Sequence, residues 1–345
     1  MSPHHDGMGQ LSSPTVSARA FAEWLINSYW NPKKPLDSVA LLLSEEPAAD
    51  FVNPRTSARL NPERASYANV SSAIKDWAKR GAENPNNLLI FYYCGHGIAQ
   101  GTDMSLLLSE YGDDDDAPLD EALDFRTFRL VMSQNAPGQQ IYFVDACRDS
   151  TDTLISTLRQ TGRVPIQIAR GASAETPVFY ATLGGEDAFG KKGEISYFTK
   201  ALLKGLNGMG SDNPEGEWLV TTTRLKEAID FEMRRAFEAG VQRKQVPTSD
   251  EMLTFEIHRL KSEPEVPVTV TCEPDRYNGQ AEFVCVRGGV ERERRPPLDD
   301  TWTLSLPVGE YEFRATLPGG TTYEYEKNPA HVRPIYRKFS IGVPR

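Results

Sequence analysis

Two short apolar runs, each followed by a reactive side chain, constrain the fold of this 345-residue chain more than any other feature. The first covers residues 88–93 and leads into the sequence CGHG, in which His96 stands between two glycines. The second is the centre, residues 141–144, of a segment 140–145 that ends in Asp145 and is followed by Ala146 and Cys147. Their length, aromatic content and β-branched residues are typical of buried strands rather than helices. We therefore expect both runs to be strands inside a sheet.

Segments of helical period separate these and other apolar runs. Asp124, which precedes one such segment, is predicted to be its N-cap because a short carboxylate can accept the free N–H groups of a first turn. Strands that alternate with helices indicate a mostly parallel sheet sandwiched by helices, the α/β class. The predicted helices cover residues 17–30, 66–80, 124–134, 196–206 and 223–239, and further strands are predicted over 38–43, 104–108 and 178–182.

Composition excludes several classes of protein. The chain is 39% hydrophobic and 25% charged, which suits one large globular domain and one small one. A net charge of −10 argues against nucleic acid as a partner, because such binders usually carry a basic face. The first ten residues lack the apolar core of a signal peptide, and no apolar run is long enough to cross a membrane. A cytoplasmic protein without a membrane partner is expected.

The pattern changes near Lys261, where prolines are followed by short alternating segments and Gly-containing turns. Strands are predicted over 268–271, 281–286, 301–306 and 311–316, which indicates a small all-β, sandwich-like domain used for docking or binding. The predicted organisation is a polar segment (1–16), a large domain (17–262) and a β-rich domain (265–345). Four cysteines are too few for a disulfide framework. Cys272 and Cys285 are expected on neighbouring strands and, in a cytoplasmic protein, are predicted to be reduced packing residues.

His96 and Cys147 follow the ends of two predicted strands. Ligands bind at the carboxyl ends of strands in sheets of this class. A thiolate is the nucleophilic form of cysteine, and a nearby imidazole can take its proton and later donate one to a leaving group. The alternatives are a core histidine with satisfied hydrogen bonds and an inert buried thiol; Cys94 is predicted to be a packing residue of that second kind.

The motifs CGHG and DACR, about 50 residues apart, resemble those of the caspase-like cysteine peptidases (family C14, clan CD), including metacaspases and their bacterial relatives. The resemblance continues through FYATLGGEDAFG and SYFTKALLKGL, to about residue 260. It implies a caspase-like fold in which His96 is the general base and acid and Cys147 the nucleophile. It also implies an oxyanion hole made by the N–H groups of Gly97 and Cys147.

The residue two before the nucleophile bears on specificity. Aspartate-cleaving caspases carry glutamine there, whereas this chain has Asp145. Those enzymes also place an arginine where the best register here puts Gly190. An acid in the substrate pocket would repel aspartate and pair with arginine or lysine, and Asp187 is a candidate second acid. The alternative is that Asp145 is a structural acid, bonded to local N–H groups or to Arg148.

The segment 148–177 contains three candidate cleavage sites, Arg159, Arg163 and Arg170. Related enzymes are often cut in this region during activation. An enzyme that prefers arginine could cut itself there, or an upstream protease could cut it. The alternative is a plain solvated loop.

No metal or cofactor is expected, although some metacaspases require calcium. The acidic run Asp113–Asp116 lacks the ligand spacing of a calcium loop and is predicted to be solvated. Glu110, Asp124 and Asp152 remain as alternative calcium ligands.

One departure from the family leaves a second function open. Caspase-like domains usually begin with an apolar strand, and residues 1–16 contain no such run. The leading hypothesis is a cysteine endopeptidase that performs limited proteolysis of protein substrates in a stress or defence response, such as antiviral defence. The alternatives are a catalytically silent, caspase-like regulator that binds through its β domain, and another thiol hydrolase such as an amidase.

Overall fold

The computed structural model describes residues 11–100, 103–114, 116–135, 137–146, 162–166, 174–181, 192–238, 247–250 and 252–344. The chain divides into two compact units. The first comprises Met1–Leu203 and Ile229–His258, and the second comprises Lys204–Ala228 and Arg259–Arg345. The boundary predicted between residues 262 and 265 stays a prediction.

The helices of the described residues agree closely with the periodic segments. None of them combines the length and apolar content that crossing a bilayer requires. The α-helices are α1 (Ser13–Asn27), α2 (Tyr67–Ala82), α3 (Phe125–Ser133), α4 (Tyr197–Lys204) and α5 (Thr222–Glu238), with a π-helical turn at Gly205–Met209 and a 3₁₀ turn at Asp275–Tyr277.

The strands are short and are numbered in chain order. They are β1 (Phe51–Val52), β2 (Arg59–Leu60), β3 (Leu88–Gly95), β4 (Gly97–Gln100), β5 (Asp103–Leu107), β6 (Ala122–Asp124), β7 (Gln139–Ala146), β8 (Val178–Tyr180), β9 (Ser211–Asp212), β10 (Leu219–Thr221), β11 (Thr248–Asp250), β12 (Glu256–Arg259), β13 (Glu265–Glu273), β14 (Glu282–Arg287), β15 (Val290–Arg295), β16 (Trp302–Pro307), β17 (Gly309–Thr316), β18 (Thr322–Glu324), β19 (Ala330–Val332) and β20 (Arg337–Gly342).

The first unit is built on a four-stranded sheet in the order β11-β8-β7-β3. Strands β3, β7 and β8 run parallel, and β11 is antiparallel to β8. The predicted strands that precede His96 and Cys147 are therefore neighbours in one sheet. This arrangement confirms the mostly parallel sheet of an α/β fold.

Alternating side chains of β3 pack against helices on opposite faces of this sheet. Phe91 contacts Trp77 of α2 and Phe128 of α3, with ring centroids 6.4 and 5.4 Å away. Tyr92 points to the other face and stacks on Phe21 of α1 at 4.6 Å. Successive strand residues face opposite sides, so a run that is apolar at every position belongs to a sheet covered on both faces.

Directly after His96 the chain leaves this sheet and enters a small antiparallel one, β4-β5-β6. Strand β6 leads into α3, whose N-cap is Asp124: the Asp124 side chain accepts a hydrogen bond from the backbone N–H of Thr127 at 2.9 Å. The predicted cap is confirmed.

The predicted strand over residues 38–43 is wrong. Within this segment only Leu42 makes a β-bridge, an isolated one with Glu63. An apolar run becomes a strand only where a neighbour pairs with its backbone, and this run instead forms part of the wall of a cavity beside β3.

The second unit contains a strand-rich region that confirms the C-terminal change of pattern. One sheet has the order β16-β13-β20 and the other the order β15-β14-β17-β18, with β19 pairing β17. Aromatic rings fill the core: Phe313 stacks on Phe339 at 4.7 Å, and Phe283 lies 5.7 Å from Trp302. Alternating strands thus bury one face and expose the other, as the sequence predicts.

Cys272 and Cys285 are both fully buried free thiols in this core. The expectation that they lie on neighbouring strands is wrong, because β13 and β14 belong to different sheets. Burial raises the pKa of Cys272 to about 11 and that of Cys285 to about 12, so both thiols stay protonated at neutral pH.

The cap of α3 yields a stability prediction. Asp124→Ala removes the acceptor for the Thr127 N–H and should lower the free energy of unfolding by about 1 kcal/mol. Asp124→Asn keeps a capping oxygen and should lose much less. Urea unfolding of the three proteins measures this, and equal losses in both variants would contradict the capping role.

Candidate active site

The register between β3 and β7 brings two strand ends to the same sheet edge. Eight residue pairs run in parallel, from Leu88 opposite Gln139 to Gly95 opposite Ala146. Gly95 is the residue before His96, and Ala146 is the residue before Cys147. Cys147 itself lies outside the described residues. The residues that precede His96 and Cys147 are therefore direct neighbours at one edge of the sheet.

His96 is half-buried and lines a cavity of 1210 Å³ whose walls include β3, α2 and the segment 33–46. Its backbone carbonyl accepts two hydrogen bonds, one from the N–H of Leu107 at 3.0 Å and one from the hydroxyl of Tyr93 at 2.7 Å. Gly97, the proposed oxyanion donor, is buried and begins β4 opposite Leu106. The junction that carries His96 is thus fixed from two sides.

Asp145 is buried, with only 2% of its surface exposed. Its Oδ2 accepts hydrogen bonds from the hydroxyl of Ser196, from the hydroxyl of Thr199 at 2.8 Å and from the thiol of Cys94 at 3.5 Å. Burial raises the pKa of this carboxyl, and the three hydrogen bonds oppose that rise without cancelling it. The three donors stabilise the ionised form in a place where an unpaired carboxylate would be costly.

Comparison with known proteins gives the family. Residues 7–258 match the family model of the caspase domain, peptidase family C14. This chain belongs to that family. Its members are cysteine-type peptidases, whose substrates are proteins.

This caspase-family chain is also similar to individual proteins. It is 27% identical over 308 residues to an uncharacterized protein, y4kE, of Sinorhizobium fredii, and the match covers 86% of each chain. Among solved structures, the crystal structure of caspase-1 from Spodoptera frugiperda is 17% identical and has a TM-score of 0.35. That match covers 56% of this chain and 72% of the other.

In this caspase domain the Asp145 network joins three elements. The hydroxyl of Thr199 also bonds to that of Tyr92 on β3, at 2.7 Å. Ser196 accepts the N–H of Thr199 through its Oγ and donates its own N–H to Ser17 on α1. Asp145 is therefore held to β3, α1 and the start of α4 through side chains that are themselves bonded.

Sequence reasoning missed Ser196 and Thr199, although a signal was present. They stand three residues apart at the start of a predicted helix whose remaining inward positions are apolar, so they share one face. Both are buried, and buried hydroxyls on a helix need partners from a neighbouring element. Asp145, the nearest strand acid, fills that need.

Cys94 is more than a packing residue, because its thiol takes part in the Asp145 network. Burial, and then the nearby carboxylate of Asp145, raise its pKa well above the ordinary value for a thiol. Cys94 is therefore a protonated hydrogen-bond donor at neutral pH and a poor nucleophile.

Of the candidate cleavage sites only Arg163 falls in the described part of the chain, since Arg159, Arg170 and the second candidate acid, Asp187, lie outside it. The N–H of Arg163 bonds to the carbonyl of Ala122 at 3.0 Å, and its carbonyl accepts the N–H of Asp124 at 3.1 Å. Its peptide groups are thus paired with β6.

The alternative calcium ligands are occupied elsewhere. Glu110 accepts the backbone N–H of Tyr67 at 2.7 Å, Asp124 caps α3, and Asp152 lies outside the described residues. Within the described ranges, no three or more His, Cys, Asp or Glu side chains form a group that could hold a metal ion. The expectation that no metal or cofactor is needed stays a prediction.

The raised pKa of Asp145 predicts a pH dependence of stability. The pKa of the Asp145 carboxyl is near 3.8 in the unfolded chain and higher in the folded protein. Such a carboxyl contributes its full stabilisation of the folded protein at pH values below 3.8. That contribution is lost as the pH rises through the folded pKa. Between pH 4 and pH 7 the wild type should therefore lose unfolding free energy relative to Asp145→Asn, which does not titrate. Urea midpoints at several pH values measure the difference, and a wild type that gains on the variant as the pH rises would contradict it.

Proposed function

We propose that this chain is a cysteine endopeptidase that uses Cys147 as nucleophile and His96 as general base and acid. The observation that carries the proposal is the register of β3 and β7. Cys147 is one peptide, about 3.8 Å between Cα atoms, beyond the residue paired with Gly95. Cys94 and Asp145 share a face of the sheet, as their contact shows. Side chains alternate along strands, so His96 and Cys147, each two residues further on, are expected on that same face.

The chemistry follows from this pair. The imidazole of His96 takes the thiol proton, and the thiolate attacks the scissile carbonyl carbon to give a tetrahedral oxyanion. N–H groups of Gly97 and Cys147 stabilise that charge. The C–N bond then breaks, and His96 returns the proton to the departing amine, which leaves a thioester. Water, deprotonated by His96, cleaves the thioester and releases the carboxylic acid and the free thiol.

The proposed specificity is for a basic residue on the acyl side of the cut bond. The side-chain hydrogen bonds that the described residues donate to Asp145 end on Oδ2, and the proposal assigns Oδ1 to the substrate. A guanidinium or ammonium group that reached Oδ1 would pair with a carboxylate already held in place, and its charge would lower the pKa of Asp145. An aspartate side chain would meet repulsion instead.

We also propose activation by cleavage within 148–177, at Arg159 or Arg170 in preference to Arg163. A peptide bond is cut only when its segment leaves its partners and extends into a protease, and the peptide groups of Arg163 are hydrogen-bonded to β6. Its guanidinium also lies 3.4 Å from Asp120 and 3.3 Å from Glu121. By analogy with the family, the proposed setting is limited proteolysis during a stress or defence response in the cytoplasm.

The proposed dyad and pocket are tested together with peptides that differ only in the residue before the cut. Wild type should cleave after arginine or lysine and not after aspartate. Cys147→Ala and His96→Ala should each lose at least about 10³-fold in kcat/KM. Asp145→Asn should lose about 10- to 100-fold with basic substrates, because a hydrogen bond to a charged group is worth about 1.5–3 kcal/mol. Asp120→Asn, a surface substitution, is the control.

Two results would count against these assignments. If the Cys147→Ala variant cleaved at the wild-type rate, the assignment of Cys147 and His96 as the catalytic pair would be wrong. If the wild type cleaved no peptide, the alternative of a catalytically silent, caspase-like regulator would be favoured. An Asp145→Asn variant with an unchanged preference for basic residues would show that the acid is structural.

Activation is tested by mapping the termini of the active protein by mass spectrometry. New termini are expected after residue 159 or 170. Arg163→Gln should leave this pattern unchanged, and the double substitution Arg159→Gln with Arg170→Gln should slow activation at least tenfold. An active, wholly uncut chain would contradict the activation step.

A further inference from the structure

We propose that Tyr93 is a positioning residue for His96 and that Gly95 is a glycine because the phenol of Tyr93 occupies the space of its side chain. This inference rests on the proposed function, since it concerns how the general base is held. It assigns a reason to the first glycine of the CGHG motif.

The hydroxyl of Tyr93 sits at the point where the chain leaves the parallel sheet. It lies 2.7 Å from the carbonyl oxygen of His96 and 2.7 Å from that of Leu107, and it donates its one proton to this pair of acceptors. The N–H of Leu107 bonds to the same His96 carbonyl at 3.0 Å. The hydroxyl and the backbone of β5 together fix the peptide of His96.

Tyr93 is itself well anchored. Its ring packs against the apolar cluster on the α2 and α3 face of the sheet, the face opposite Cys94 and Asp145. A tyrosine has few rotatable bonds, so a ring held in a core places its hydroxyl with little freedom. The His96 carbonyl is therefore tied to the rigid interior of the domain rather than to the surface.

Gly95 makes this contact sterically feasible. A Cβ built on Gly95 would stand 2.6 Å from the hydroxyl oxygen of Tyr93 and 2.9 Å from the ring carbon that bears it. Such separations are shorter than van der Waals contact, so any side chain would displace the phenol. Gly95 lies within β3, where the backbone is extended and does not itself require glycine. The space at this glycine is filled by the protein and is not left for a substrate.

The consequence for catalysis is geometric. An imidazole that must receive and return a proton is sensitive to displacements of less than 1 Å, and a misplacement of 1 Å can cost about 100-fold in rate. Loss of the hydroxyl removes one hydrogen bond to the His96 carbonyl and leaves the bond from the Leu107 N–H, so the His96 peptide is held less tightly while every group that touches the substrate is kept. The expected effect is on kcat rather than on KM.

The test compares Tyr93→Phe with Tyr142→Phe. Tyr142, on β7, also has a buried hydroxyl, bonded to Gln140 at 2.7 Å, near the start of the strand and far along it from Ala146. Both substitutions remove one hydroxyl from the same domain and should cost similar stability. Tyr93→Phe should lower kcat about tenfold with KM unchanged, and it should slow the alkylation of Cys147 by iodoacetamide at neutral pH. Tyr142→Phe should change neither quantity.

The role of Gly95 is tested by a double-mutant cycle. Gly95→Ala should lower kcat at least as much as Tyr93→Phe, because it displaces the phenol. Since both changes break the same bond, the double variant should lose clearly less than the product of the two single effects.

The outcomes separate this inference from the proposed function. A wild type that cleaves no peptide overturns the proposed function, and this inference with it. A wild type that cleaves, together with a Tyr93→Phe variant that matches it in kcat and in alkylation rate, overturns the inference alone. A Tyr93→Phe variant that loses only stability, as Tyr142→Phe does, also overturns it.

Discussion

The parallel pairing of β3 with β7 is the constraint on which the rest of the first unit depends. Eight consecutive residue pairs set the register, so a shift of one residue would move every side chain of one strand to the wrong face. The register brings Phe91 beside Tyr142, Cys94 beside Asp145, and the residues before His96 and Cys147 opposite each other. A buried strand that must satisfy helices on both faces has little freedom to slip.

Successive side chains of β3 point to opposite faces of the sheet and make different contacts there. On one face, Tyr93 connects the apolar core to the carbonyl of His96. On the other, Cys94 contacts Asp145, whose remaining donors, Ser196 and Thr199, come from the start of α4. The peptide that carries His96 is thereby held from the α2 and α3 side of the sheet, while Asp145, the proposed specificity acid, is held on the opposite side. Either support can be removed without touching the other.

The sequence allowed prediction of the elements that local pattern determines: the strands that became β3 and β7, and α3 with its Asp124 cap. Prediction from the sequence failed for features that depend on a partner elsewhere in the chain. The run at 38–43 has strand composition but no neighbouring ladder, and Cys272 and Cys285 were assigned to adjacent strands because sequence does not show which sheet a strand joins. The hydrogen bonds of Tyr93 and Ser196 were missed for the same reason. Ser196 bonds to Asp145, which is distant in the chain, and Tyr93 bonds to His96 and Leu107 at the turn where the chain passes from one sheet to another.

The central claim is that residues 96 and 147 lie side by side after the ends of two neighbouring strands. Formation of a disulfide between the two positions tests this claim without relying on activity. In a His96→Cys variant, mild oxidation should join the two thiols, because a disulfide requires Cα atoms about 4.4–6.8 Å apart. Peptide mapping should then find residues 96 and 147 in one cross-linked fragment, and the fragment should be absent when Cys147→Ser is added. If both thiols stay free and react fully with an alkylating agent after oxidation, the two motifs do not share a site and the account is contradicted.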